Sequence, residues 1–229
     1  MKKIACLVTN DLHQDQRMNR ICSALVKAGY EVTLVGRKRK SSTALSPKPF
    51  SCVRLNCWFE SSILFYAEYN IRLFFILLFS KKDLLLSNDL DTLLANFLIS
   101  KIQKKKLVYD SHELFTEIPE LAKRPFVRKC WLKIEKSILP KLKNTYTVSK
   151  LIADYYNKKY NTDFKVIRNF PTHKETITTK FPFDTENKKV ILYQGAINVG
   201  RGLELAIDSM AYLKNHLLVI IGSGDISEE

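Results

Sequence analysis

Short apolar runs alternate with helical periods from the first residues onward, and that alternation constrains the fold more than any single motif. "KIACLVTN" (Lys3 to Asn10) is apolar and ends in polar residues. "RMNRICSALVKAG" follows, with Met18, Ile21, Leu25 and Val26 at helical spacing and Gly29 where a helix C-cap belongs. "YEVTLVG" is the next apolar run. Strand, loop, helix, strand is a βαβ unit, which is right-handed and implies a parallel sheet.

The same grammar continues. "SCVRLNC" reads as a third strand, residues 62–80 as an apolar helix, "DLLLSND" as a strand, "DTLLANFLISKIQKK" as a helix and "KLVYD" as a strand. "FVRKCWLKIEKSIL" is a helix that Pro140 ends. "NTYTVS", "KLIADYYNKKY" and "KVIRN" read as strand, helix and strand. Near-continuous apolar strands between helices place residues 1–169 in the α/β class, as a Rossmann-like doubly wound parallel sheet. From Phe170 the texture changes: "FPTHKETITTKFPFDTENKK" holds two prolines, several threonines and no period. Residues 170–188 therefore read as a linker between domains. The βαβ grammar restarts with "VILYQG", "GLELAIDSMAYLK" and "HLLVIIGSG", so 189–229 read as the first βαβ of a second Rossmann-like domain. A lone βαβ cannot bury both faces of its sheet, and that domain is expected to be incomplete in this chain.

A hydrophobic content of 46% excludes general disorder. The cysteines (Cys6, Cys22, Cys52, Cys57, Cys130) are odd in number, lack C-x-x-C spacing and lie largely in apolar segments. They read as free thiols of a reducing compartment rather than as a zinc site. "IACLV" is too short for the apolar core of a signal peptide. In 62–80 the longest unbroken apolar run, Leu73 to Phe79, falls short of the ~20 residues of a spanning helix, and Glu68 and Arg72 interrupt what precedes it. That helix is expected to be buried or surface-lying, and the protein cytoplasmic, peripheral on the inner face of the membrane.

The net charge of +14 speaks to partners: anionic membrane, nucleic acid or phosphorylated substrates. Lys123 to Lys143 holds eight Lys or Arg and one acid, with Phe126, Trp131, Leu132, Ile138 and Leu139 interleaved. Two readings fit this stretch: a basic amphipathic segment on an anionic bilayer, and a solvated helix face whose apolar side is core. A basic module for nucleic acid would need a recognition motif or exposed stacking aromatics, and the sequence shows neither, so nucleic acid is not expected.

Open parallel sheets bind ligands outside the carboxyl ends of their strands. The first strand delivers Asn10, Asp11, His13, Asp15 and Arg17 there; "DLLLS" delivers Asn88, Asp89 and Asp91; "KLVY" delivers Asp110, Ser111, His112 and Glu113; "YTV" delivers Ser149 and Lys150; and "KVIR" delivers Asn169. Asp, Asn and Ser at such ends also serve as helix N-caps, which suits Asn88 or Ser111 alone. Capping does not explain His112, a poor cap that titrates near neutral pH. The first βα turn lacks G-x-G-x-x-G. In the second unit, "GAINVGRG" (Gly195, Gly200, Arg201, Gly202) and "GSGD" (Gly222, Gly224) offer backbone N–H groups and one cation to a phosphate.

With two Rossmann-like units in series and a linker, the chain resembles GT-B glycosyltransferases of the retaining family 4 type, among them bacterial members that build surface polysaccharides. The stretches that carry the resemblance are "NDLHQDQRMNRICSALVKAGYEVTLVGR", "SNDLDTLLAN", "KLVYDSHELFTEIPEL", "TVSKLIADYY", "VIRNFP" and "ILYQGAINVGRGLELAIDSM". The resemblance implies an acceptor-side first domain, a nucleotide-sugar-binding second domain and catalysis between them, with no metal or other cofactor. Under it, His112 contacts the transferred sugar; our own expectation is that Asp110 or Glu113 holds the imidazole. Asn10, Asp11, Asp15, Arg17, Asn88, Asp89, Ser149 and Asn169 line the acceptor side. Gly195, Gly200, Arg201, Gly202, Gly222 and Gly224 bind the donor, with Arg201 at the position of the basic residue on the diphosphate. The acceptor is expected to be a saccharide or a lipid-linked glycan. Three features depart from the family pattern: Ala196 replaces an arginine of the donor loop, the paired glycines after the first strand are missing, and the E-x7-E motif would lie beyond residue 229. The chain as it stands is therefore expected to bind acceptor or membrane and to transfer sugar weakly or not at all. The alternatives are a basic non-catalytic binding module for anionic membrane or nucleic acid, and another enzyme of the same fold such as a sugar-nucleotide epimerase.

Overall fold

The computed structural model describes residues 1–13, 15–118, 121, 124–171, 185 and 187–224. The chain divides into two compact units, Met1–Phe170 and Pro171–Glu229. Most of the segment expected to link them, 172–184 and 186, lies outside the described residues.

In the first unit β1 (Lys3–Asp11), α1 (Gln16–Lys27), β2 (Glu31–Lys38), β3 (Ser51–Asn56), α2 (Ser62–Phe79), β4 (Leu84–Asn88) and α3 (Asp89–Ile102) follow in order. Then come β5 (Lys106–Ser111), α4 (Pro125–Ile138), β6 (Asn144–Thr147), α5 (Lys150–Tyr160) and β7 (Lys165–Val166). The seven strands form one parallel sheet in the order β3-β2-β1-β4-β5-β6-β7. The chain builds outward from β1 to β3, then crosses back through α2 to β4 and builds the other way. The direction of winding thus reverses between β1 and β4, which opens a crevice at their carboxyl ends.

The period of two along β1 shows how the sheet is covered. Ala5 and Leu7 join a core with Tyr69, Leu73 and Leu77 of α2, Leu93 and Ile99 of α3, and Trp131 of α4. Ile4, Cys6 and Val8 point the other way, into a core with Met18 and Cys22 of α1. A strand buried on both faces reads as a continuous apolar run, which is why "IACLV" carried no alternation. All five cysteines are free thiols, and Cys6 and Cys22 lie in this second core.

The helix read over 62–80 is α2, long and apolar enough by length and composition to cross a bilayer. It packs instead along the sheet as the β3-to-β4 crossover, through Phe65, Tyr69, Leu73 and Leu77. Tyr69 is fully buried and its hydroxyl donates to the Val8 carbonyl, so the one polar atom at this contact is satisfied. Helix α4 ends at Ile138 and passes through one 3-10 turn, Leu139–Lys141, that contains Pro140.

The second unit contains β8 (Lys189–Gln194), α6 (Leu203–Ser209) and β9 (His216–Ile221), with β8 parallel to β9. The helix expected over residues 202–214 is shorter, because the chain tightens into a 3-10 turn at Met210–Tyr212.

Candidate functional site

The carboxyl ends of β1, β4 and β5, with the start of α1, gather Arg17, Asp89, Asp110 and His112. Asp110 is a β5 residue paired with Asn88 of β4 and Tyr146 of β6, and it is fully buried. Its neighbour Tyr109 points into the core on the other face, as strand alternation requires. Asp110 thereby meets α1, where the Arg17 guanidinium donates to its Oδ2. Burial pushes the Asp110 carboxyl up to about 6, against the opposing pull of Arg17.

His112 is the first residue after β5. Its backbone N–H donates to Asp89 Oδ1 at 3.2 Å, and its Nδ1 lies 2.6 Å from Asp89 Oδ2. One carboxylate thus fixes both the position and the ring of His112. Asp89 achieves this from a left-handed backbone, φ 56°, at the first residue of α3, a conformation that Asp and Asn tolerate better than most side chains. The sequence reading gave the imidazole to Asp110 or Glu113. The structure gives it to Asp89, because Asp110 faces α1 and is engaged by Arg17. Glu113 follows His112 directly and is half-buried.

Arg17 Nη1 also lies 3.3 Å from His112 Nδ1. An arginine only donates, and Nδ1 already faces a carboxylate, so this contact is proximity of charge. Burial depresses the His112 pKa, but the Asp89 hydrogen bond and charge prevail and hold it above its ordinary value. The side chain is 40% exposed, and Nε2 lies across the ring from Asp89. The arrangement presents an imidazole of fixed orientation, biased towards its charged form, at the sheet's carboxyl edge.

Asp91, in the first turn of α3, accepts from Thr9 Oγ1. Its burial and the like charge of Asp89 push its carboxyl up to about 7, against Thr9 and His112. Beside this group, Asn10, Asp11, His13, Asp15, Arg39 and Ser42 line a polar cleft of about 490 Å³. Asp15 caps α1 by accepting from the Met18 N–H at 2.9 Å, and it also accepts from Asn10 Nδ2 at 3.2 Å. Asp11 accepts from the Ser42 hydroxyl and lies 3.4 Å from Arg54.

Several expected cleft residues act otherwise. Asn88 is buried and donates to the Leu7 carbonyl at 3.2 Å, tying β4 to β1; it neither faces the cleft nor caps α3 through its side chain. Ser149 caps α5 by accepting from the Ile152 N–H. Ser111 is no cap: its hydroxyl donates to the Glu113 carbonyl at 2.9 Å. Asn169 is exposed and accepts from Arg20 at 2.6 Å. Arg39, Ser42, Arg54 and Thr9 were missed. The first two follow "YEVTLVG", and applying the strand-end rule to β2 as well would have found them.

In the second unit, Gly195 donates to the Ile221 carbonyl at 3.0 Å and the turn carries Arg201, exposed. Gly200 and Gly202 adopt φ 84° and 73°, open to glycine without strain. A Cβ on Gly222 would lie 1.8 Å from the Gly195 oxygen, and one on Gly224 2.1 Å from the Ile197 oxygen. The two loops therefore pack backbone to backbone at the carboxyl end of β8 and β9. Among the described residues, no group of three His, Cys, Asp or Glu is arranged to hold a metal ion.

The family model for Glycosyltransferase Family 4 matches residues 15–171. Comparison with curated proteins gives no match. Sucrose-phosphate synthase from Thermosynechococcus elongatus superposes with a TM-score of 0.73 at 17% identity, over 100% of this chain and 64% of that one. The apo lipopolysaccharide outer core galactosyltransferase WaaB gives 0.61 at 15%, over 100% and 62%. Anabaena Alr3699/HepE in complex with UDP and glucose gives 0.63 at 13%, over 100% and 63%. The fold is that of GT-B glycosyltransferases, and the chain spans less than two thirds of the length of these structures.

Proposed function

This chain belongs to Glycosyltransferase Family 4, and from that membership we propose that it serves glycosyl transfer from a nucleotide sugar to a saccharide or lipid-linked acceptor, with retention and without a metal. The observation that carries the proposal is His112, oriented by Asp89 and flanked by the Arg17–Asp110 pair on the crevice edge of the sheet. An imidazole held in this way donates a hydrogen bond to a sugar hydroxyl or to a developing negative charge, at no cost of reorganisation. Leaving-group departure puts charge on the nucleoside diphosphate. In the second unit the Gly195–Gly202 turn with Arg201 is assigned to meet that charge through backbone N–H groups and one guanidinium. The polar cleft of Asn10, Asp11, Asp15 and Arg39 is assigned to the acceptor, whose hydroxyl must be aligned for attack. We place the activity on the cytoplasmic side of a membrane.

The test is product analysis with the complete protein and a panel of nucleotide sugars, with and without saccharide acceptors. The proposal expects a new glycosidic bond of the donor's anomeric configuration, formed only when acceptor is present. An epimerised nucleotide sugar formed without acceptor would replace this reading with the epimerase one.

A further inference from the structure

Helix α2 is apolar on both sides. One side enters the core, and the opposite side leaves Ile71, Phe75 and Phe79 exposed at 59%, 53% and 82%. Helix α3 packs beside α2, and α4 beside α3. Leu98 and Ile102 of α3 extend the exposed apolar surface, and a groove of about 480 Å³ between α2 and α4 is floored by Leu94, Ala95 and Leu98 of α3. Contiguous apolar surface of this kind is uncommon on a protein that meets only water.

The charge on these helices is biased towards cations. The three helices contain four carboxylates, and each is engaged, Glu68 on the outer side of α2 and the other three buried. Glu68 accepts from the backbone N–H groups of Trp58 and Phe59 and pairs with Arg72. Asp89 holds His112, Asp91 accepts from Thr9, and Glu135 is buried against Lys159 and Tyr160. The cations remain outside: Lys101 on α3 and Lys129, Lys133 and Lys136 on α4 are exposed. At the far rim Trp58 is 84% exposed, with its ring 4.8 Å from the Arg72 guanidinium. Apolar side chains flanked by lysines and an interfacial tryptophan match the layering of an anionic bilayer surface. A second copy fits less well, because a two-fold contact sets the same patch against itself and would oppose lysines to lysines while Glu68 and Glu117 are already paired with Arg72 and Arg128.

We propose that the outer face of α2, α3 and α4 docks this protein on an anionic phospholipid bilayer, with α2 and α3 supplying the apolar contact and the α4 lysines the rim. The membrane contact expected from Lys123–Lys143 alone thereby becomes one edge of a larger surface; Lys123 itself lies outside the described residues. The proposal does not depend on the transferase reading, since vesicle binding and sugar transfer are measured separately.

The experiment is flotation of the full chain with vesicles of phosphatidylcholine alone and of phosphatidylcholine with phosphatidylglycerol. Binding is expected only with the anionic lipid. Replacing Lys129, Lys133 and Lys136 together by alanine lowers partitioning about a hundredfold. The exposed pair Ile71→Glu and Phe75→Glu lowers it at least about tenfold without changing the circular-dichroism melt. Trp58 emission shifts to the blue on anionic vesicles in the unaltered chain, and Trp58→Phe removes the shift, a readout that needs no change in the face itself. Unchanged binding of the Ile71→Glu/Phe75→Glu chain would overturn the proposal, as would absence of flotation or an unshifted Trp58. Self-association that the same pair disperses would assign the face to a second copy and overturn it too.

Discussion

Asp91→Asn tests how the acidic cluster beside His112 is held. Asp91 is almost wholly buried, with Thr9 donating to it and Asp89 close by. Its carboxyl is raised from 3.8 to about 7, first by burial and then by Asp89. The folded state therefore keeps a proton that the unfolded chain has released. The stabilisation this gives is fully present below pH ~4 and is lost as pH rises through about 7. Each unit of pKa difference corresponds to ~1.36 kcal/mol, so complete ionisation of Asp91 costs about 4 kcal/mol. Most of that change falls between pH 5 and pH 8, where the linkage relation gives roughly 2–3 kcal/mol. Asparagine retains an oxygen for Thr9 and replaces the carboxyl –OH by a bulkier –NH2 donor, a cost of ~1–2 kcal/mol that does not vary with pH. The variant is thus expected to be close to or below the unaltered chain in stability at pH 5, and about 2 kcal/mol above it at pH 8. In a domain of this size that is ~4–8 °C in Tm. Urea unfolding followed by circular dichroism at both pH values measures the difference, and titrating groups away from Asp89 and His112 cancel in the comparison. Parallel stability curves for the two proteins, or a variant weaker at pH 8, would refute the reasoning and show an ionised, well-compensated Asp91.

Asp89→Asn keeps a side chain suited to the left-handed backbone while removing the charge on His112, so the His112 titration followed by NMR moves down. Because a raised histidine pKa contributes stability below its unfolded value and loses it as pH rises through the folded one, the stability gap between the two proteins should be wider at pH 5.5 than at pH 9. Gly222→Ala places a Cβ against the Gly195 carbonyl and should loosen the second unit by roughly 2 kcal/mol or more, seen as faster proteolytic cleavage within 189–224 while the first unit stays intact.

The fold was legible because its signal is periodic. Apolar runs such as "IACLV" and "DLLLS" announced strands buried on both faces, and α1 showed its Met18, Ile21, Leu25 and Val26 stripe at helical spacing. The rim of the site was legible as well, because strand order puts the carboxyl ends of β1, β4 and β5 on one edge. The pairing within that rim was not. Asp110 and Glu113 are nearer to His112 in sequence than Asp89 is, but strand alternation sends Asp110 to Arg17. The left-handed start of α3, which brings Asp89 to the imidazole, has no periodic signature. Asn88 resembled a cap or cleft residue for the same reason: composition shows a polar residue at a strand end, not which carbonyl it will reach. For α2 the pattern pointed to a helix either buried or on the surface, and its apolar residues divide between the two.

The central claim is that His112, oriented by Asp89, acts on the transferred sugar. The most direct measurement compares the complete protein with its His112→Ala and His112→Gln forms in transfer from the nucleotide sugar, with donor and acceptor both saturating. Loss of one oriented donor to developing charge is expected to lower kcat by ~10²–10³ for alanine with little change in the donor's KM, and glutamine should recover part of the loss. Unchanged transfer by His112→Ala would contradict the account.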